Sequence, residues 1–459
     1  MSKSSHERCR ADLPGERAPE RAPETIAAII ANAKLRPLHF LIFGICFATS
    51  LVDGLDQQLI GFSAAAISDE LNMSLSAFGT IYSTGALGGI VGAMIFGTAA
   101  DRIGRKWALF LATVTFAIMS LLTTAVKSGE ELLFVRFVAG LGFGGAIPGM
   151  VALGAEYAPA KKRGLVVGTL WCGYPVGAAI GGLVTSLLLP EFGWRSIYFF
   201  GGGVAVIIAA AQLLLLPESV AFLAVRRGSE ARIRSILSRL DPTAGPPVME
   251  EEASTQARPR DTAPLKKLVA DGRLVTTLLL WLTLACIWQM MNFLALWMPP
   301  FIEKSGYPMA FVAFTITLFN LSGIPSQAGS GHVIDRKGPF GVLLVCSTGV
   351  VFAILLLAFG LRVPTMVGGA MLLLGLLLAP CITALSYIAA RVYPAEIRST
   401  GLGWMFGIGR FGQVFGSIVV GAAVSAGISI PVIIAGVAGS AATAMIATLL
   451  IRSKLTAHT

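Results

Sequence analysis

A chain of 459 residues that is 55% hydrophobic and only 13% charged, with a mean hydropathy of +0.76, carries more apolar surface than a water-soluble fold can bury. Composition therefore excludes a soluble domain and makes the lipid bilayer the solvent. A net charge of +10 would suit nucleic acid in a soluble protein; here basic residues gathered on one side of a membrane account for it, and no nucleic-acid partner is expected.

Residues 1–36 are polar, include the run from Glu16 to Glu24, and lack the apolar core of a signal peptide, so they read as a tail with a short surface helix near Thr25–Leu35. Apolar stretches long enough to cross the hydrocarbon core as helices follow near 38–63, 76–99, 107–126, 131–155, 165–189 and 196–216. A polar linker rich in Arg, Pro, Glu and Ser occupies 217–272. A second set of spans lies near 273–298, 309–333, 340–360, 364–390, 401–425 and 428–451, before a tail at 452–459. The expected fold is an all-α polytopic membrane protein of about twelve transmembrane helices, with one six-helix half over 37–216 and another over 273–451.

Threading these spans puts both termini, the 101–106 loop and the linker on one face. Of all the Lys and Arg residues, only Lys127, Arg195, Lys304 and Arg362 fall on the other face, and only Arg136 and Arg410 fall inside spans. By the positive-inside rule the basic face is cytoplasmic, so an inner-membrane protein with both termini inside is expected. Six scattered cysteines with no CxxC pair give no metal site, no disulfide framework and no cofactor.

The halves are related. Gly97-Thr-Ala-Ala-Asp101-Arg102 returns as Gly331-His-Val-Ile-Asp335-Arg336, and Pro159 with Arg163 returns as Pro394 with Arg398, in the same order and at an offset of 234 or 235 positions. Two motifs at nearly one offset mark parallel repeats, an arrangement that seats a substrate between them.

Three groups of residues carry candidate chemistry. The first is the loop Gly97, Asp101, Arg102, Gly104, Arg105 with its weaker counterpart Asp335 and Arg336, where glycine lets helices touch and Asp101 with Arg105 forms a charge-assisted latch. The second is Asp53-Gly54-Leu55-Asp56, two carboxylates on neighbouring turns of the first span, costly in a membrane and able to raise each other's proton affinity. These are read as the proton-coupling site, with Glu156 as a further candidate. The third is the intramembrane arginines, whose planar forks match a carboxylate. Arg410 has no repeat counterpart, since the offset lands on Pro175, and is the expected substrate ligand. Arg136 is either a substrate ligand or a permanent partner for Asp53, Asp56 or Glu156. Trp171, Tyr174, Trp288, Gln289, Asn292, Asn320 and Tyr387 are expected to line the route, aromatic rings stacking on a ring and amides reading its substituents.

The loop resembles the signature of the major facilitator superfamily. Asp53-Gly54-Leu55-Asp56, the stretch from Arg136 to Pro148, Glu156-Tyr157-Ala158-Pro159, Pro217-Glu218-Ser219, Tyr393-Pro394 to Gly401 and Gly407 to Gly412 are similar to the aromatic acid–proton symporter family within it. The resemblance runs from Leu38 to the twelfth span and implies a proton-coupled importer of small aromatic carboxylates such as 4-hydroxybenzoate, protocatechuate, vanillate or benzoate, working as a monomer by alternating access. The fourth span departs from the family pattern at Pro148-Gly149, where a polar residue is expected after the proline. A drug/proton antiporter is the alternative in the same fold, but Tyr174 separates Gly173 from Pro175 where exporters carry a Gly-Pro pair. A sugar porter suits Pro217-Glu218-Ser219, yet the intramembrane arginines suit an anion better. No nucleophile–base set or nucleotide loop supports an enzyme, and a transporter-like chemoreceptor is the remaining class.

Overall fold

The computed structural model describes residues 24–225, 229–242, 247–248, 273–393 and 398–457; the remaining parts of the tails, of the 217–272 linker and of the Tyr393–Gly401 motif lie outside them. Among the described residues twelve helices are long and apolar enough to cross a membrane. The first half holds Pro37–Glu70, Phe78–Ile103, Arg105–Thr123, Gly129–Tyr157, Arg163–Phe192 and Trp194–Leu215. The second holds Leu274–Asn292 continued to Lys304, then Met309–Lys337, Pro339–Phe359, Pro364–Val392, Arg398–Ser425 in two pieces, and Ile430–Ala457. Outside the spans a short helix, Ile26–Asn32, and a two-residue parallel pairing of Glu24–Thr25 with Pro247–Val248 join the helix Glu230–Leu240 near the start of the first span.

Local chemistry sets these boundaries. Pro37 opens the first span, where its missing N–H is one that a helix start leaves unpaired anyway. Gly104 (φ 106°) separates the second and third spans, and Gly338 (φ 76°), at the repeat offset, separates the eighth and ninth. Both glycines adopt backbone that side chains resist, so both halves turn the same corner with the same residue. Spans extend past the apolar stretches, as in Pro37–Glu70, because the helices continue beyond the hydrocarbon depth.

The halves repeat each other's packing. The first span lies against the fifth and sixth, the fourth against the second and third, and the third against the sixth; the seventh, tenth and ninth make the equivalent contacts. Between the halves, contact is concentrated at the end opposite the 101–106 loop. A Cβ on Gly61 would lie 2.7 Å from the Ala295 carbonyl oxygen, one on Gly79 would lie 2.7 Å from that of Ser417, and one on Gly182 would lie 3.0 Å from Thr317 Oγ1. At the loop end Gly97, Gly164, Gly331 and Gly407 have nothing within 4 Å of a Cβ position. The molecule is closed at one end and open at the end that carries the basic loops. Gly97, expected to let helices touch, faces open space because the halves part there.

Two spans are irregular, and both irregularities lie near the junction of the halves. The seventh opens into a π-helical turn at Phe293–Trp297. Pro300 follows with no N–H to offer the Leu296 carbonyl. The Tyr82 hydroxyl donates to that carbonyl instead, at 3.0 Å, from the other half. The eleventh span breaks at Arg410, which forms a turn between Arg398–Gly409 and Phe411–Ser425.

Candidate functional site

Asp56 and Arg136 form a buried ion pair. Arg136 Nη1 donates to Asp56 Oδ2 at 2.9 Å, with the Arg136 and Asp56 side chains 6% and 1% exposed respectively. Ser120 Oγ donates to Asp56 Oδ1 at 3.3 Å, and Arg136 Nη2 donates to Thr123 Oγ1 at 3.3 Å. The guanidinium also lies 4.9 Å from the centroid of the Tyr198 ring, whose hydroxyl is 2.9 Å from Ser63 Oγ. These residues come from the first, third, fourth and sixth spans, so the network lies inside one half. Of the two roles open to Arg136, the structure places it as a partner of Asp56.

Asp53 faces elsewhere. It is only half-buried, and its main electrostatic partner is Arg410 of the opposite half, with Asp56 behind it. No ion pair closes between Asp53 and Arg410, and no other salt bridge of either is found among the described residues. Positions three apart on a helix differ by about 60° and one turn, which is enough to turn Asp56 into its own half while Asp53 meets the interface. The two carboxylates therefore share no partner, contrary to the simplest reading of their spacing. Arg410 stands at the break in the eleventh span, where the Phe411–Ser425 helix begins and the Gln413 N–H donates to the Arg410 carbonyl at 3.0 Å. Its Nη1 lies 3.6 Å from the Cβ position of Gly89 in the second span, so it crosses to the first half where a glycine leaves room. Tyr174 lies close enough to Asp53 to feel its charge, and its carbonyl packs on Gly54.

The remaining lining residues divide. Gln289 packs against Gly416 of the eleventh span, and Asn292 and Asn320 are buried. Asn320 Nδ2 is used within its own helix, donating to the Ile316 carbonyl at 2.9 Å. Trp288 is half-buried, whereas Trp171 and Tyr387 are exposed.

At the open end Arg105 pairs with Glu156, in the last turn of the fourth span. The side chains of Asp101 and Asp335 lie outside the described residues; Arg102 and Arg336 are exposed. Glu156 also accepts from Ser219 Oγ and, at 2.8 Å, from the Ala221 N–H. Glu218 accepts from the Lys106 N–H at 3.0 Å, and a side chain on Gly104 would collide with its carboxylate. Glu156 thus belongs to a clasp joining the second–third loop to the segment after the sixth span, rather than to the buried carboxylates. The signal for this was Glu156 beside Tyr157-Ala158-Pro159, which places it at a helix end and not at membrane depth.

A twelve-span bundle of two repeated halves, a charged pair inside one half and an arginine reaching across the junction define a membrane transporter rather than an enzyme. The chain matches the Major Facilitator Superfamily over residues 46–417 and belongs to it. It is 32% identical to a gallate transporter of Pseudomonas putida over 90% of this chain and 92% of that one. It is also 32% identical to the 4-hydroxybenzoate transporter PcaK of Acinetobacter baylyi, over 87% of this chain and 88% of that one. Its fold is similar to a partially occluded inward-open structure of the xylose transporter XylE from E. coli, with a TM-score of 0.68 at 16% identity over 91% of this chain and 98% of that one.

Proposed function

We propose that this multi-pass transporter imports a small aromatic carboxylate together with protons across the inner membrane by alternating access, as a monomer with both termini cytoplasmic. The excess of Lys and Arg on the open face supports that orientation, which makes the open end cytoplasmic and the conformation inward-facing. The relatives transport gallate and 4-hydroxybenzoate, both carboxylated aromatic rings.

One observation carries the mechanism: Asp56 is committed to Arg136 within one half, while Asp53 and Arg410, on opposite halves, feel each other's charge without forming an ion pair. Arg410 is then the anchor for a substrate carboxylate, and Asp53 the group that competes for it. Facing outward, Asp53 takes a proton from the periplasm, and its neutral carboxyl no longer draws on Arg410. The substrate carboxylate settles on the guanidinium fork with its ring among aromatic side chains such as Tyr174 and Trp288. The halves rock about the site. Facing inward, Asp53 releases its proton, regains its pull on Arg410 and displaces the substrate. The proton's differential affinity for the two states drives accumulation.

Uptake of radiolabelled 4-hydroxybenzoate into proteoliposomes, with the acidic side outside, tests this. Accumulation should vanish when a protonophore collapses the gradient. Absence of gradient-dependent uptake for every aromatic carboxylate tried would overturn the proposal.

A further inference from the structure

The charges do not account for a second polar locus where the halves meet. Gly54, Gln58 and Gly61 share the face of the first span that meets the fifth and seventh spans. Gln58 is 0% exposed, yet neither its Oε1 nor its Nε2 has a hydrogen-bond partner. Its Cβ lies 3.4 Å from the Cβ position of Gly181, and one turn further along that fifth span Thr185, also 0% exposed, has an unpartnered Oγ1. Gly61 meets Ala295 and Leu296 of the seventh span. The first and seventh spans run in the same direction, so Asn292 lies one turn before Leu296 as Gln58 lies one turn before Gly61. Asn292 is 5% exposed with an unpartnered Oδ1, and Trp288, four residues earlier on the same face, has an unpartnered Nε1.

Buried polar atoms are nearly always paired, and here several from both halves go unpaired. The groups are neutral amides, a hydroxyl and an indole, with donors and acceptors mixed and no acidic side chain among them. That set suits a neutral substituent able both to donate and to accept, rather than a cation or a second carboxylate. We propose that Gln58, with Thr185 and Asn292, forms the subsite that reads a phenolic hydroxyl on the ring of the substrate whose carboxylate sits on Arg410. This rests on the aromatic-carboxylate reading above and adds its specificity. When the halves close around a hydroxylated ring, the hydroxyl supplies the missing partners. An unsubstituted ring leaves them unmade, and a site built to bond a hydroxyl disfavours the analogue that lacks it.

The test is competition between benzoate and 4-hydroxybenzoate or 3,4-dihydroxybenzoate for uptake by the full-length protein in proteoliposomes. The intact transporter should prefer the hydroxylated acids. Gln58→Leu should lower that preference by about tenfold, the scale of one lost hydrogen bond in a buried site. Thr185→Val, which keeps the side-chain shape and spares the fold, should lower it in the same direction. An unchanged preference ratio in both variants, with uptake of all three acids falling alike or not at all, would overturn the subsite and mark these groups as structural or water-filled. No uptake of any aromatic acid by the intact protein would instead overturn the parent reading, and this inference with it.

Discussion

Replacing Asp56 by Asn tests whether the buried pair is structural, because it keeps the shape and an acceptor oxygen while removing the charge. Arg136 would then retain a 3.3 Å bond to Thr123 and the Tyr198 ring face, but no opposite charge; its Nε has no partner even now. Breaking a buried pair from one side costs about 3–5 kcal/mol, and the remaining ring contact places this case near the lower figure. At about 2–4 °C per kcal/mol for a unit of this size, the melting temperature in lipid nanodiscs should fall by roughly 6–12 °C. Arg136→Gln should fall similarly. The double variant Asp56→Asn/Arg136→Gln places two neutral amides side by side and should recover most of the loss, because neither buried charge remains. A double variant that melts at the sum of the two single losses would refute the pair as the source of the stability. Single variants that melt with the intact protein would refute it as well.

Other variants address the junction between the halves. Arg410→Lys keeps the charge but loses the fork, so the apparent KM for the aromatic acid should rise by about tenfold; an unchanged KM in Arg410→Ala would remove Arg410 from the site. Asp53→Asn should abolish accumulation driven by a pH gradient while leaving substrate exchange between equilibrated compartments. Accumulation that persists would place the proton site elsewhere. Tyr82→Phe deletes the 3.0 Å bond to the Leu296 carbonyl that holds the closed end. A loss of about 1 kcal/mol would shift the balance about fivefold toward outward-facing. Spin labels on Ser74→Cys and Ser429→Cys should report a larger long-distance population, and an identical distance distribution would show that this bond does not hold the gate.

Much of the architecture was legible because hydropathy and repetition are properties of the chain itself. The spans follow apolar length, and Gly104 and Gly338 lie at the offset that the Asp101 and Asp335 motifs already announced. The exceptional position of Arg410 was visible as an arginine with no repeat counterpart. Its helix break was foreshadowed only by the glycines at Gly407, Gly409 and Gly412. The pairings were not legible, because they depend on how the first span is rotated against partners far away in sequence. A turn in one direction gives Asp56 to Arg136, and spacing alone made Asp53 an equal claimant. Gln58 was invisible for a related reason: a single amide in an apolar run says nothing of whether a partner lies across the interface. Asn292, in a run with Trp288 and Gln289, did carry that hint.

The division between the two carboxylates also limits where coupling can occur. When rigid halves rock, distances inside a half stay fixed, and only distances between halves change. Asp56, Arg136, Ser120, Thr123 and Tyr198 all belong to the first half, so protonation of Asp56 would cost the same ion pair in either orientation and favour neither. Asp53 and Arg410 belong to different halves, and the field that each feels from the other must change as the halves move. In the proposed symport a proton on Asp53 is therefore the one that would be bound with different affinity outside and inside, which is the property that lets a gradient do work. In the proposed mechanism the buried pair has the complementary task of keeping the first half rigid, so that motion is expressed at the junction between the halves that carry Asp53 and Arg410.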